Sequence, residues 1–147
     1  MDRERFAVYV HELEEQSRGI GLPPGWVPSS KYVLINDEGA YVGIFNLRHR
    51  LNDNLRVGAG HIGYGIAPQY RGRGYATVGL RLTLDKAREL GIDEAYLSVH
   101  KDNRASLAVQ QHCGARIDHE DGWNTIRASA RHPNQGTCQG GIHVPRT

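Results

Sequence analysis

Apolar residues along this chain fall into runs that switch between helical and extended spacing. Phe6, Val10 and Leu13 recur at helical intervals with Glu12, Glu14 and Glu15 between them, which predicts an amphipathic helix ending near Ser17, stopped by Gly19 and Gly21. The three prolines of Leu22-Pro23-Pro24-Gly25-Trp26-Val27-Pro28 then forbid a regular helix or a central strand. Val78, Leu80, Leu82, Leu84 and Ala87 lie on adjoining faces of a helix from about Tyr75 to Leu90, with Gly91 placed to end it. Ala95, Leu97 and Val99 alternate with Tyr96 and Ser98, the period of a strand. Asn103 stands as the N-cap of a further helix running to about His112, closed by Gly114. Strand, helix and strand in that order imply parallel pairing through a right-handed crossover. Asp121-Gly122 fits a turn, and Trp123 to Arg127 a short strand. Residues 128–147 are poor in large apolar side chains and read as a flexible tail.

Composition narrows the class. A length of 147 residues suits one domain, taken here as residues 2–127 followed by the tail. The net charge of +2 arises from 18 basic residues interleaved with 16 acidic ones, a pattern that does not argue for nucleic acid. No apolar run approaches the roughly 18 residues of a membrane-spanning helix, and Met1-Asp2-Arg3-Glu4-Arg5 is no signal peptide. Cys113 and Cys138 imply no disulfide scaffold, so a reducing cytoplasm is the expected compartment. His112, Cys113, His119, His132, Cys138 and His143 match no compact zinc spacing, and no metal is expected; a metal-binding interaction module stays as an alternative reading of these residues.

The densest chemistry lies in Gly63-Tyr64-Gly65-Ile66-Ala67-Pro68-Gln69-Tyr70-Arg71-Gly72-Arg73-Gly74-Tyr75-Ala76, an extended stretch feeding a glycine-rich loop and then a helix. Without a Cβ, Gly72 and Gly74 let the backbone take positive φ and bring successive N–H groups against an anion. The helix that follows points its unpaired amides and positive dipole end at the same place. Each dipole contact contributes only about 0.3–1 kcal/mol, so several amides must act together, with Arg71 and Arg73 attracting a polyanion from farther away. A Walker loop would need Gly-Lys-Ser/Thr where Gly74-Tyr75-Ala76 stands, and a Rossmann fingerprint would need glycine at Thr77.

The spacing Gln69-x-x-Gly72-x-Gly74 resembles the signature of the GNAT superfamily of acyl-CoA-dependent N-acetyltransferases, set between that family's fourth strand and third helix. Downstream, Glu94 to His100, Asn103-Arg104-Ala105-Ser106, Val109 and Gly114-Ala115 follow the family's order. Upstream, Tyr32 to Ile35, the turn Asn36 to Gly39, and Tyr41 to Leu47 look like its second and third strands. About residues 2–122 are covered, and Arg48-His49-Arg50-Leu51-Asn52 ahead of His61-Ile62-Gly63-Tyr64 is similar to a bacterial branch.

The resemblance implies an α/β (α+β) fold: a mixed, mostly antiparallel sheet flanked by helices, with a V-shaped splay between strands 4 and 5. It implies acetyl-CoA as cosubstrate, with the backbone of Ile66 and Ala67 pairing with pantetheine and the amides of Arg71, Gly72, Arg73, Gly74, Tyr75 and Ala76 holding pyrophosphate. Asn103 either reaches the pantetheine or only caps its helix. The acetyl group then passes to an unidentified primary amine by direct attack in a ternary complex, and Trp26 lines the acceptor pocket or caps the core edge.

That attack needs an uncharged nitrogen, and an amine of pKa about 10.4 holds its proton at neutral pH by roughly 4–5 kcal/mol. His61 occupies the neighbourhood where relatives often carry a catalytic carboxylate on the fourth strand, and is the candidate base. The helix tyrosine that many relatives use as acid falls on Gln110, which cannot donate an acidic proton; Tyr64 and Tyr75 are the available phenols. This departure keeps a catalytically weak acyl-CoA binder as an alternative. The chain also starts in what resembles the family's second helix, so an edge strand is expected to be absent, and a partner subunit in a homodimer would cover such an edge.

Overall fold

The computed structural model describes residues 3–57, 59–120 and 125–131. Helix α1 (Arg3–Ser17) opens the chain and packs on β1 (Ser29–Ile35). The apolar face expected on α1 is lightly covered, since Val10 is exposed and Leu13 only half-buried. β1 turns into β2 (Tyr41–Arg48) through a hairpin built on Asn36, whose Oδ1 accepts from the N–H groups of Glu38 and Ala40 at 3.1 and 2.9 Å. β2 then pairs antiparallel with β3 (Ile62–Ile66), giving a sheet in the order β1-β2-β3.

Between β2 and β3 lies a short helix, α2 (Asp53–Val57), that the apolar pattern does not announce. Asn52 starts it by accepting from the Leu55 N–H at 2.9 Å, and its Nδ2 ties the turn to Gly25. After β3 and a single 3-10 turn (Pro68–Tyr70), α3 (Tyr75–Glu89) crosses to β4 (Glu94–His100). Next come α4 (Arg104–His112), β5 (Arg116–Glu120) and β6 (Thr125–Arg131).

The second sheet has the order β4-β6-β5, antiparallel throughout. β4 and β5 do run parallel, because each opposes β6, but they do not pair: the last strand separates them, correcting the direct pairing expected from strand, helix and strand. β6 also continues to Arg131, so residues 128–131 belong to the sheet and not to the tail. Ala128, Ser129 and Ala130 carry little strand preference of their own; hydrogen bonds to neighbours on both sides impose the conformation. The rest of the expected tail lies outside the described residues.

One core unites the layers. Phe45 and Leu47 of β2, Leu80, Leu84 and Ala87 of α3, and Ala95 and Leu97 of β4 are buried together. Each large side chain among them stabilises the fold by about 1.5–3 kcal/mol. Contact between α3 and the first sheet depends on Gly79, where a Cβ would collide with the Phe45 ring. Beside it, Thr83 buries its hydroxyl by donating to the Gly79 carbonyl at 2.7 Å.

Candidate functional site

β3 and β4 belong to different sheets, and His61 fastens them at one end. Its carbonyl accepts from the Arg48 N–H of β2 at 2.7 Å, while its own N–H donates to the Tyr96 carbonyl of β4 at 2.7 Å. The imidazole adds a third tie, Nδ1 accepting from the Tyr96 N–H at 3.0 Å with the two rings stacked 6.0 Å apart. Past this point β3 has β2 on one side and a cleft on the other.

Antiparallel pairing turns alternate backbone groups toward the partner strand. Ala67 faces β2: its N–H donates to the Val42 carbonyl at 2.9 Å, and its carbonyl accepts from Tyr70 at 2.9 Å. The Ala67 N–H is thereby engaged on the β2 side, and Ala67 does not line the cleft described next. By the same alternation the groups of Tyr64 and Ile66 turn outward, although the Ile66 carbonyl already accepts from Arg71 Nε at 3.0 Å.

The cleft has a volume of about 470 Å3 and is lined by Tyr64, Gly65 and Ile66 of β3, by the loop from Tyr70 to Thr77, and by Asn103, Ala105, Ser106 and Val109 around the start of α4. Gly72 and Gly74 have φ of 76° and 82°, left-handed conformations that place the loop amides at the head of α3. Among the described residues, no backbone carbonyl accepts from the N–H groups of Gly72, Arg73, Gly74, Tyr75, Ala76 or Thr77, and the first helical bond runs from Val78 to Gly74 at 3.2 Å. The sequence-expected loop residues are thus brought together as a set of open donors facing a cavity. Arg73 is the exception: it does not line the cleft, and its guanidinium lies over the Tyr70 ring at 5.9 Å.

Asn103 does cap α4, its Oδ1 accepting from the Ser106 N–H at 3.1 Å, and it lines the cleft as well. Tyr64 stacks on Phe45 with ring centroids 5.3 Å apart and sends its hydroxyl to Ser106 Oγ at 2.8 Å. Burial raises the Tyr64 pKa above its ordinary 10.0, partly offset by hydrogen bonds with Ser106 and Gln110. Gln110 itself is 1% exposed inside the core, with its Oε1 buried and unpartnered. The phenol of β3 thus reaches, at Ser106, the helix on which a catalytic tyrosine would be expected. Its hydroxyl position follows from packing on Phe45, which no residue spacing reveals. Tyr75 also lines the cleft, and its hydroxyl accepts from Asn36 Nδ2 at 3.5 Å.

His61 is 7% exposed and lines neither the cleft nor the second cavity described below. Burial first, then Arg48 and Arg56, lower its pKa below 6.5. With Nδ1 accepting from Tyr96, the neutral ring carries its proton on Nε2 and has no free lone pair with which to take one from an amine. Cys113 is 2% exposed, with Sγ against the Thr77 carbonyl at 3.5 Å, a packed thiol at the end of α4. Among the described residues no group of three His, Cys, Asp or Glu could hold a metal ion, and no helix is long and apolar enough to cross a membrane. His132, Cys138 and His143 lie outside those residues.

On the opposite face of the first sheet a cavity of about 330 Å3 is lined by Gln16, Trp26, Ser29, Lys31, Asn46, Arg48 and Leu55, among others. Trp26, 61% exposed, borders this cavity and does not cap the core.

None of the curated proteins matches the chain. Solved structures do. A ribosomal-protein-S5-alanine acetyltransferase from Vibrio fischeri aligns with TM-score 0.62 and 14% identity over 87% of this chain and 70% of that one. A Vibrio cholerae spermidine N-acetyltransferase in complex with CoA and spermine aligns with TM-score 0.58 and 19% identity over 71% and 66%. A chimera of that enzyme with human sequence aligns with TM-score 0.59 and 16% identity over 90% and 94%. At such identities the likeness is one of fold. The family model for the acetyltransferase (GNAT) domain matches residues 4–116. With its antiparallel strands divided between two sheets, its flanking helices and this match over most of its length, the chain belongs to the GNAT family of acetyl-CoA-dependent N-acetyltransferases.

Proposed function

We propose that the protein transfers an acetyl group from acetyl-CoA to a primary amine by direct attack, with the cleft between β3 and α4 holding the donor. The row of open amides from Gly72 to Thr77 at the head of α3 carries this reading. Those donors take the pyrophosphate, and the outward backbone of Tyr64 and Ile66 takes the pantetheine as an added strand. Arg71 supports the loop through its bond to Ile66, and Arg73 contributes long-range attraction. Asn103 holds the α4 end of the cleft.

In the reaction the amine nitrogen bonds the acetyl carbon, the carbon–sulfur bond breaks, and the amine's proton leaves to solvent. Tyr64, protonated and hydrogen-bonded at the cleft, gives its proton to the departing thiolate and regains one through Ser106. His61, first expected as base, serves this scheme by fixing β3 to β4. The cytoplasm as compartment and a homodimeric assembly belong to the same proposal.

Isothermal titration with CoA, paired with thiol release across an amine panel, tests it. Gly74→Val should weaken CoA binding by tenfold or more, since a β-branched residue at φ 82° must distort the loop. Unchanged affinity in that variant overturns the placement of the donor. Binding by the native protein without thiol release supports instead the acyl-CoA binder that the buried Gln110 keeps in view.

A further inference from the structure

The cavity on the far face of the first sheet collects polar groups by register. Lys31 of β1 is the Cα partner of Asn46 of β2, Ser29 is the partner of Arg48, and Gly63 of β3 is the partner of Asn46 on its other side. Side chains at 46 and 48 alternate with Phe45 and Leu47, which face the core, so both point into the cavity they line. β3 runs beside the strand that lines this cavity: Gly63 pairs with Asn46, while the next residues, Tyr64 and Gly65, line the donor cleft. At Gly63 a Cβ would stand 4.0 Å from Arg48 Nη1.

Three features define what fits. Arg48 is half-buried, bonds the Gly60 carbonyl through Nη1 at 3.2 Å, and has no carboxylate within ion-pair distance among the described residues. A guanidinium presents five donors in a planar fork, and one is accounted for. Lys31 likewise meets no carboxylate; its Nζ reaches the Tyr9 hydroxyl at 3.4 Å. Asn46 Oδ1 is buried without a hydrogen-bond donor. The cavity thus offers two cations lacking an anion, with the Asn46 amide beside them, and among the described residues no Asp or Glu lines it.

We propose that this cavity receives the acceptor and selects a small amine that also bears a carboxylate, which Arg48 and Lys31 hold. The inference rests on the acetyl-transfer reading above. A polycation such as the spermine bound by the Vibrio cholerae enzyme meets like charge here.

The experiment compares glycine with glycinamide, β-alanine with its amide, and spermidine, by thiol release from acetyl-CoA and by saturation-transfer NMR on the CoA-loaded protein. The less basic amine of an amide favours it chemically, so a preference for the acid reports recognition. Acids should exceed amides and spermidine in kcat/KM by about tenfold or more, the scale of a hydrogen bond to a charged group. Arg48→Gln should bring the ratio near unity, and Lys31→Gln, on the exposed side of the cavity, should lower it part-way, both with CoA affinity intact. Equal or better use of amides or spermidine overturns the proposal. So does an unaltered ratio in both variants, or a CoA-binding protein that contacts neither class of amine. Failure of the native protein to bind CoA instead removes the transferase reading on which this one stands.

Discussion

Tyr64 and His61 neighbour one another on one stretch of backbone, yet burial drives their protonation to opposite uses. Tyr64 keeps its proton because burial disfavours the phenolate, and it does so facing a cavity. Tyr64→Phe keeps the stack on Phe45 and removes the hydroxyl; kcat should fall by about 10²-fold or more with little change in KM for acetyl-CoA. His61 is kept neutral by burial and by the two arginines. Its folded-state pKa lies below the unfolded one, so the unfolded chain binds the proton more readily, and the stability it contributes is complete above pH 6.5 and lost as pH falls through the lowered value. His61→Asn offers Tyr96 an acceptor that does not titrate. That variant should flatten the acid side of a Tm-against-pH curve and hold kcat within a few-fold, whereas a large loss of kcat would return the imidazole to the chemistry. Position by family resemblance, together with an ordinary imidazole pKa, suggested His61 as a base; the bond from Tyr96 that occupies its lone pair comes from another strand and leaves no local trace.

Elements whose signals are local were legible. The glycine spacing located the loop, and Gly91 and Asn103 marked helix ends that the backbone follows, with Leu90 and Asn103 as the flanking caps. What escaped was set by contact at a distance. The α3 face was drawn from Val78, Leu80, Leu82, Leu84 and Ala87, yet Gly79 and Thr83 are among its buried residues, because Phe45 needs room there and Thr83 has a carbonyl to satisfy it. Apolar periodicity counts neither. Gly79→Ala, favourable by helix preference alone, should therefore destabilise the protein by about 1–3 kcal/mol through overpacking, read as a lowered midpoint in urea. The short α2 was signalled only by Asn52, an N-cap that a five-residue helix makes easy to pass over.

For the molecule as a whole, the arrangement of strands departs from their order in the chain. Apolar alternation marked β4, and the chain order predicted that β5 would pair with it; nothing local showed that a strand of small residues arriving last would lie between them. Long-range pairing of this kind forms late because loop closure precedes its reward. The β1–β2 hairpin needs only its own neighbourhood, but β4 and β5 have no shared ladder until Thr125–Arg131 is present. A protein ended at Glu120 should retain slow amide exchange in β2 and lose it in β4, measurable by mass spectrometry. During synthesis on the ribosome, then, half the molecule waits with two bare strand edges until nearly the last described segment has emerged, and that interval is when a growing chain of this design most needs a chaperone.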